Sequence, residues 1–576
     1  MKSKYIILVL TSLFCVGCNS FLTYNERSFV EKSDAFAEFG KATQLLSGVY
    51  NILPSGFSDV GDAMLESATD NGICVWNSSS AKNTSNIQEF YNGSWSPIIT
   101  VDGQWANFYK GIRRANLFLE NVNDSIILDD YKWSGDTYQS MKKRWAFYRY
   151  EARFLRAFYH FELAKRYGDI PIVDHTLTVD EANNTPRNSF EDVIRWIVSE
   201  CEDIAPNLPT SYTIADITPN LETGRATWGA AMALRSRALL YLASPLHNQP
   251  SDPDYSAKWL AAAAAADDVI KSGVYKNALP AWEYVFNNSG AATPWDATAN
   301  TELIFERRQA DDNAFEMANT SIGFEGGNTT NCPTQNLVDC YEMQATGLRF
   351  DEQGSGYDPN NPYVGRDPRL AMTVLYNGAT WKTRAMQCYY GGLDASPNAG
   401  TSPTGYYLRK GLAQSTVISG LNMTNTKHSW MLFRYTEILL NYAEAMNEAY
   451  GPNDKGPFTL SATEAVNFVR QRTGVAMPPF PATLSQEEFR AKIHNERRVE
   501  FAFEGHRMWD MRRWKEGDLT RTIYGMNIIL DSGVTTYTPQ QIQTRIWDDK
   551  MYYYPIPQSE IYDTHNVLTQ NPGWGN

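Results

Sequence analysis

The sequence predicts a mainly α fold of helical hairpins interrupted by long loops, and three observations carry that prediction. Apolar residues recur at helical spacing through nine blocks of the 576-residue chain. Long stretches rich in Asn, Ser, Thr, Gly and Pro interrupt the blocks and exceed what a connection needs. Hydrophobic residues make up 43% and charged residues 20%, globular proportions that exclude a disordered or fibrous chain.

The amino terminus comes first. Lys2 and Lys4 precede a mostly apolar run from Tyr5 to Phe14, and Val16-Gly17-Cys18 places small residues before a cysteine, so 1–17 reads as an export signal. Ten residues at 1.5 Å rise cover about 15 Å, roughly half of a hydrocarbon core, which is too short for a retained transmembrane helix. Cys15-Val16-Gly17-Cys18 resembles a bacterial lipobox with Cys15 where Leu is usual. Cys18 is therefore the expected lipidation site, and 18–33 the lipidated tether that holds the protein to a membrane. The alternative is an ordinary secretory signal that leaves a soluble exported protein.

Helical periodicity then covers 34–52, 101–124, 138–168, 187–206, 225–246, 255–272, 429–450, 460–473 and 485–514. In the block near residue 440, Tyr435, Leu439, Tyr442 and Met446 form one stripe, while Glu437, Asn441, Glu444 and Glu448 form another. A dry side and a wet side are expected there. Between Arg225 and Tyr241, Gly229, Ala230, Ala233 and Ala238 are small enough to admit a neighbouring helix. Such hairpins are similar to tetratricopeptide units, although no clean 34-residue repeat is present. These blocks divide the chain into an N-terminal helical part, 34–250, with the excursion 53–100, and a C-terminal part, 251–576, with the excursions 276–335 and 345–428. The excursions carry Trp76, Tyr91, Trp95, Trp282, Trp295, Phe315, Phe324, Trp381, Tyr389 and Tyr390, so the helices read as scaffold and the loops as site. Trp282, beside Tyr284 and Phe286, reads instead as the packing of a helix end.

Lys and Arg number 51 against 65 Asp and Glu, a net charge of −14, which excludes a nucleic-acid partner and an electrostatic grip on an anionic bilayer. No HExxH, GxSxG, P-loop, GxGxxG or EF-hand pattern occurs, and the seven His residues show no ligand pairing, so no cofactor or metal is expected. The cysteines beyond Cys18 lack metal spacing; Cys332 and Cys340 are the one pair singled out for a bridge, and the rest read as small core residues. Asp351, Glu352 and Asp358 in a Gly-rich turn offer oxygens to calcium, but a solvated loop is the preferred reading. Glu496 and Glu500, one helical turn apart, superficially match a retaining glycosidase pair. Two acids on one helical face cannot flank a bond from opposite sides, and both fall on a stripe with Phe489, Ile493 and Phe503. A buried ion network with Arg is the expected role, and the protein is not expected to be an enzyme.

A series of motifs resembles the SusD/RagB family of outer-membrane nutrient-binding lipoproteins. Cys18-Asn19-Ser20-Phe21-Leu22 is similar to the family's start, followed by Leu46-Ser47-Gly48-Val49-Tyr50. Arg153-Phe154-Leu155-Arg156-Ala157 and Tyr167-Gly168-Asp169-Ile170-Pro171 resemble its long helix and the turn that ends it. Arg366-Asp367-Pro368-Arg369-Leu370, Asn495-Glu496-Arg497-Arg498-Val499-Glu500 and Gln570-Asn571-Pro572-Gly573 follow in family order. The resemblance implies a mainly α, SusD-like fold in which four tetratricopeptide-like hairpins pack against a loop-rich ligand-binding region, and a lid role on a SusC-like TonB-dependent barrel that imports captured oligosaccharides. Asn19 and Ser20 stand where members often carry acids linked to surface export.

A sugar presents an apolar C–H face and a rim of hydroxyls, so its site needs flat rings and hydrogen-bonding side chains. The resemblance places that platform on the loops 70–97 and 287–330, though not on individual residues. Trp76 and Trp95 are the expected stacking residues, with Trp295, Phe315 or Phe324 completing the arc, and Asp70, Asn77, Asn92 and Asn313 as hydrogen-bonding candidates. The competing readings are a RagB-like peptide importer and a glycoside hydrolase.

Overall fold

The computed structural model describes Phe36 and residues 39–76, 85–122, 128–129, 132–212, 224–276, 279–282 and 300–575. Cys18 and the segments 1–17 and 18–33 lie outside the described residues. No helix among the described residues is long and apolar enough to cross a membrane.

Eight helices form the scaffold: α1 (Phe39–Tyr50), α2 (Trp105–Asn121), α3 (Asp136–Tyr167), α4 (Phe190–Ile204), α5 (Trp228–Ala243), α6 (Tyr255–Lys271), α7 (Tyr435–Tyr450) and α8 (Ala462–Arg470). Each packs on the next, so the series makes four successive pairs. Local chemistry sets the ends. The Ser189 hydroxyl accepts from the Asp192 amide to start α4, the Thr227 hydroxyl accepts from Ala230 to start α5, and Gly168 at φ 72° ends α3. The small residues of α5 permit close packing: a Cβ on Gly229 would lie 2.1 Å from the Tyr275 hydroxyl, which a neighbouring turn brings over the helix. After α8 come α9 (Gln486–Glu500), which also packs on α7, and α10 (Arg507–Arg513).

The excursion between α6 and α7 is closed by two strands, β2 (Leu303–Asp312) and β4 (Thr426–Arg434), which pair antiparallel with Leu303 opposite Arg434. Here the structure departs from the expected helix over 429–450. Residues 429–434 extend β4, and the helix begins only at Tyr435; the run Trp430-Met431-Leu432-Phe433 is apolar throughout and fits either period. The expected helix over 485–514 is likewise two, broken where Phe503 and Gly505 take φ of 58° and 76°.

The three excursions do not remain polar loops. They wrap a second core in which Leu337, Tyr341, Leu370, Trp381, Tyr406, Tyr407 and Phe315 pack with Val499 from the end of α9 and Phe503 from the break beyond it. Trp430 packs against both cores, and Gly56, at φ 69°, lies against its ring so closely that a Cβ would sit 1.9 Å from it. Trp95 belongs to the main core, with ring contacts to Phe90, Tyr554 and Trp574 at 4.8, 5.0 and 4.8 Å and 4% of its surface exposed.

The wet side expected for α7 is also dry. Glu437 pairs with Arg237 at 2.6 Å, Asn441 accepts from Arg497 at 2.8 Å, and Glu444 holds Arg513, all buried. Glu500 is the centre of a larger lattice: Arg434, Arg369 and Arg472 reach it at 2.8, 2.8 and 3.2 Å. Arg369 and Arg470 clamp Glu496, each at 2.6 Å. Although burial opposes ionisation, the guanidiniums of Arg434, Arg472 and Arg369 hold the Glu500 carboxyl down at about 2.

A hairpin follows α10. β5 (Thr522–Asp531) pairs with β6 (Val534–Thr544) through Ser532-Gly533, both at positive φ as a two-residue hairpin turn requires. Such a turn closes on a hydrogen-bonded pair, so residues 524, 526 and 528 of β5 should turn their backbone groups outward. They do: the Tyr524 amide donates to Asn336 Oδ1, the Met526 amide to the Thr404 carbonyl, and Tyr390 to the Ile528 carbonyl. β5 thus anchors the short helix Gln335–Val338 and two stretches of the third excursion. On β6, the same phase turns 535, 537, 539 and 541 outward, and position 539, opposite Met526, is proline. Cys332 and Cys340 are buried free thiols, not a bridge; Cys332 lies in a strand and the Cys340 thiol donates to the Asn336 carbonyl at 3.2 Å.

Three outcomes are expected from this packing. Glu500→Ala leaves three guanidiniums facing a buried void and should cost about 3–5 kcal/mol in urea unfolding; an unchanged midpoint would exclude the lattice as a structural element. Trp95→Ala should cost a similar ~3–5 kcal/mol through the cavity it opens, as a fall in melting temperature would register. His160, buried in α3, directs Nδ1 at the Arg156 carbonyl (2.8 Å) while Nε2 accepts from the Val173 amide (3.0 Å), an arrangement only the neutral ring satisfies. Burial lowers it from 6.5 to about 4. A depressed folded-state value means that this stability is present above pH 6.5 and is lost as pH falls through about 4, on the order of 3 kcal/mol in full. His160→Gln should flatten the melting-temperature curve over that window; identical curves would exclude His160 as a source of the slope.

Candidate functional site

Two of the excursions are joined by a short ladder. β1 (Gly72–Cys74) pairs antiparallel with β3 (Asn331–Pro333), setting Ile73 opposite Cys332. Flanking bonds extend it: Thr334 donates its amide to the Asn71 carbonyl and its hydroxyl to that of Asp70, and the Val75 amide donates to Thr330. Described parts of the two loops, 70–76 and 300–330, are therefore adjacent, with Trp76 emerging from the ladder beside the turn at 321–328.

Trp76 is half-buried. Its Nε1 donates to the Asn328 carbonyl at 2.6 Å, and its own carbonyl accepts from the Gln88 amide group at 2.6 Å. Gly400, at φ 79°, meets the ring edge so tightly that a Cβ would lie 2.7 Å from Cη2. The third excursion thus reaches the same place. Phe324 stands on the 321–328 turn, and the Arg384 guanidinium lies 3.9 Å over its ring. Arg384 is fixed by two bonds to Asp394, at 2.6 and 2.9 Å, and Asp394 also accepts from the Ser321 hydroxyl at 2.6 Å. Burial opposes it, yet Arg384, the Gln387 amide and Ser321 hold Asp394 below the usual carboxylate range. One face of Phe324 is covered by a cation whose position is locked. Tyr390, 64% exposed, sits four residues before Asp394 on the same excursion.

Trp76 and Phe324, from two of the loops, are brought to one place by these contacts, and the third excursion reaches it through Gly400 and Arg384. The other expected residues fare differently. Trp95 and Phe315 are core residues and present no ring face, Phe315 packing 4.6 Å from Phe57. Asp70 is buried and bonded to Arg507 at 2.8 Å and Arg498 at 3.0 Å, which hold its carboxyl at about 2 against the effect of burial. It anchors β1 to the start of α10 and offers nothing to a ligand. Asn92 is exposed, but its carboxamide oxygen closes a turn onto Ser94. Asn313 is half-buried and precedes the helix Ala314–Asn319, where Asp312 takes the Ala314 amide in its place. Asn77 and Trp295 lie outside the described residues. Trp282 is fully buried, in keeping with its reading as packing, and so are Tyr91 and Trp381.

Tyr390 and Arg384 were not among the expected site residues. The pair Tyr389-Tyr390 before Gly391-Gly392 is a visible signal for the first; nothing local marks Arg384, whose partner is ten residues away.

The geometry excludes the suspected carboxylate pair, because Glu496 and Glu500 are sealed from solvent and clamped by Arg. Among the described residues, no group of three or more His, Cys, Asp or Glu is placed to hold a metal ion. Asp351 pairs with Arg349, and Asp358 accepts from Asn360 and Asn361 within its own turn. The gathered surface offers partly exposed rings beside amide and hydroxyl groups, which suits contact with a ligand that combines apolar faces and polar edges.

Comparison with known proteins agrees with this architecture. Residues 282–574 match the model of the SusD family, and residues 31–240 match one described as starch-binding, associating with outer membrane. A SusD-like protein P25 of Formosa agariphila is 23% identical over 100% of this chain and 99% of its own length. A SusD-like protein of Bacteroides fragilis superimposes with a TM-score of 0.72 at 26% identity, covering 94% of this chain and 98% of that one. A SusD-like carbohydrate-binding protein of the same organism gives 0.70 at 25%, covering 93% and 99%. With more than half of its length matched by the family model and the same fold along nearly all of it, the chain belongs to the SusD family.

Proposed function

We propose that the protein captures oligosaccharides on the outside of the outer membrane, held there by lipid on Cys18, and serves as the lid of a SusC-like TonB-dependent transporter that imports them. It binds its cargo and releases it unaltered. The observation that carries this reading is the convergence of three excursions on one place, where Trp76 and Phe324 stand partly exposed around the Asn328, Gly400 and Arg384 contacts. The starch-binding description of the N-terminal family model and the carbohydrate-binding relative favour a glycan over a peptide as cargo.

Aromatic contacts contribute ~0.5–1.5 kcal/mol each beyond area burial. A few of them with a similar number of hydrogen bonds, less the cost of association, support affinities between micromolar and millimolar, about −8 to −4 kcal/mol. Such weak binding suits release into a transporter.

A glycan array on the mature protein, followed by titration of the best ligand, tests the reading. Trp76→Ala and Phe324→Ala should each weaken binding by about tenfold, the equivalent of about 1.4 kcal/mol, with the glycan recovered intact afterwards. Unaltered curves for both variants would remove the surface from consideration, and shortened products would favour the hydrolase reading.

A further inference from the structure

A second concavity lies away from the gathered rings. A groove of about 300 Å³ runs between α2, the segment 171–185 that follows α3, and the C-terminal segment 560–568. None of the residues that position Trp76, Phe324 or Tyr390 lines it. Its floor is apolar, formed by Trp105, Tyr109, Val173, Leu177 and Leu568. The Tyr109 hydroxyl is already engaged by the Pro171 carbonyl at 2.9 Å. A polyhydroxylated ring laid on this floor would lose water without finding partners for its hydroxyls, which disfavours a sugar.

The two ends of the groove are charged, and oppositely. Arg113 lines one end. It has no carboxylate partner among the described residues, and its hydrogen bond is a long one, 3.4 Å from Nη1 to the Leu177 carbonyl. Glu560 lines the other, close to the Trp105 side chain. His175, a further ionisable group on the wall, is tied to Asp174 at 2.8 Å. Arg113 lies eight residues along α2 from Trp105, about 12 Å at 1.5 Å per residue. An unpaired guanidinium and a carboxylate therefore face one apolar trough from its two ends.

We propose that this groove is a second ligand site, for a small zwitterion with an apolar body whose carboxylate meets Arg113 and whose ammonium meets Glu560. The span sets the length: the two charges must stand on the order of 10 Å apart to reach both ends once the side chains extend inward. A guanidinium receives a carboxylate through two parallel bonds, so the Arg113 end discriminates more sharply. The site is independent of glycan capture, because the two surfaces share no lining residue.

The probe is 8-aminooctanoate, titrated calorimetrically into the mature protein beside octanoate and octylamine. The expected result is saturable binding of the zwitterion, at least fivefold tighter than either single-ended analogue. Arg113→Gln should erase its advantage over octylamine, and Glu560→Gln its advantage over octanoate. Leu177→Trp, which fills the trough, should abolish binding. Melting temperatures check that each variant is folded, and Trp76→Ala should bind the zwitterion as the parent protein does. Equal affinity for all three probes, or an Arg113→Gln variant that still prefers the zwitterion to octylamine, would overturn the assignment. So would the absence of saturable binding. Absence of glycan binding by the parent protein, with the zwitterion still bound, would count against the capture reading alone.

Discussion

The buried lattice around Glu500 is the constraint on which the rest of the molecule depends. Its members come from separate elements of the C-terminal half: Arg434 from the end of β4, Arg472 from beyond α8, Arg369 from the loop-rich region, Glu302 from just before β2, and Glu496 and Glu500 from α9. Lys410 and Arg434 share Glu504 in the break that follows α9. Ion pairs of this kind stabilise little relative to a well-packed apolar core, since desolvation offsets most of the Coulombic gain. What they impose is geometry. Each guanidinium must find its carboxylate, so the helical pairs, the β2–β4 closure and the excursions can be assembled in one relative position. Asp70 with Arg498 and Arg507 carries the same logic outward to β1, and from there to Trp76.

That dependence explains what was legible in the sequence and what was not. Helices with strong periodicity and local stop signals, such as α3 with Gly168 and α4 with Ser189, stand close to where the residues place them. Local pattern was insufficient where long-range partners decide. Trp430 to Phe433 is apolar on both faces, and only pairing with β2 makes it a strand. Glu437, Asn441 and Glu444 look like a solvated face until Arg237, Arg497 and Arg513 arrive from 56 to 200 residues away. The hairpin β5–β6 went unread although Asp531-Ser532-Gly533-Val534 marks its turn.

The site was legible as a pair of loops, not as a set of side chains. A tryptophan in a polar excursion carries no local sign of its fate. Trp76 and Trp95 share a loop, yet Trp95 finds Trp574 from the far end of the chain and is buried, while Trp76 lies half-buried at the edge of the core with Nε1 on the Asn328 carbonyl and Gly400 against its ring. Phe315 and Phe324 divide in the same way, the first by Phe57 and His428, the second by Arg384. The excursions needed a core of their own before they could present any ring in a fixed orientation, and most of their aromatic residues build it.

Pro539 has a consequence of a different kind. The outer margin of β6 runs for eleven residues without a single charge, the sort of margin on which an extended segment from another molecule crystallises into a growing stack. The ring nitrogen has no hydrogen to give, and it sits where the strand faces away from β5. An incoming strand would meet donors at Thr535 and Tyr537 and then a gap before Gln541. That interruption guards individual molecules against fibril-like zippering when they are crowded together, without recourse to charge repulsion.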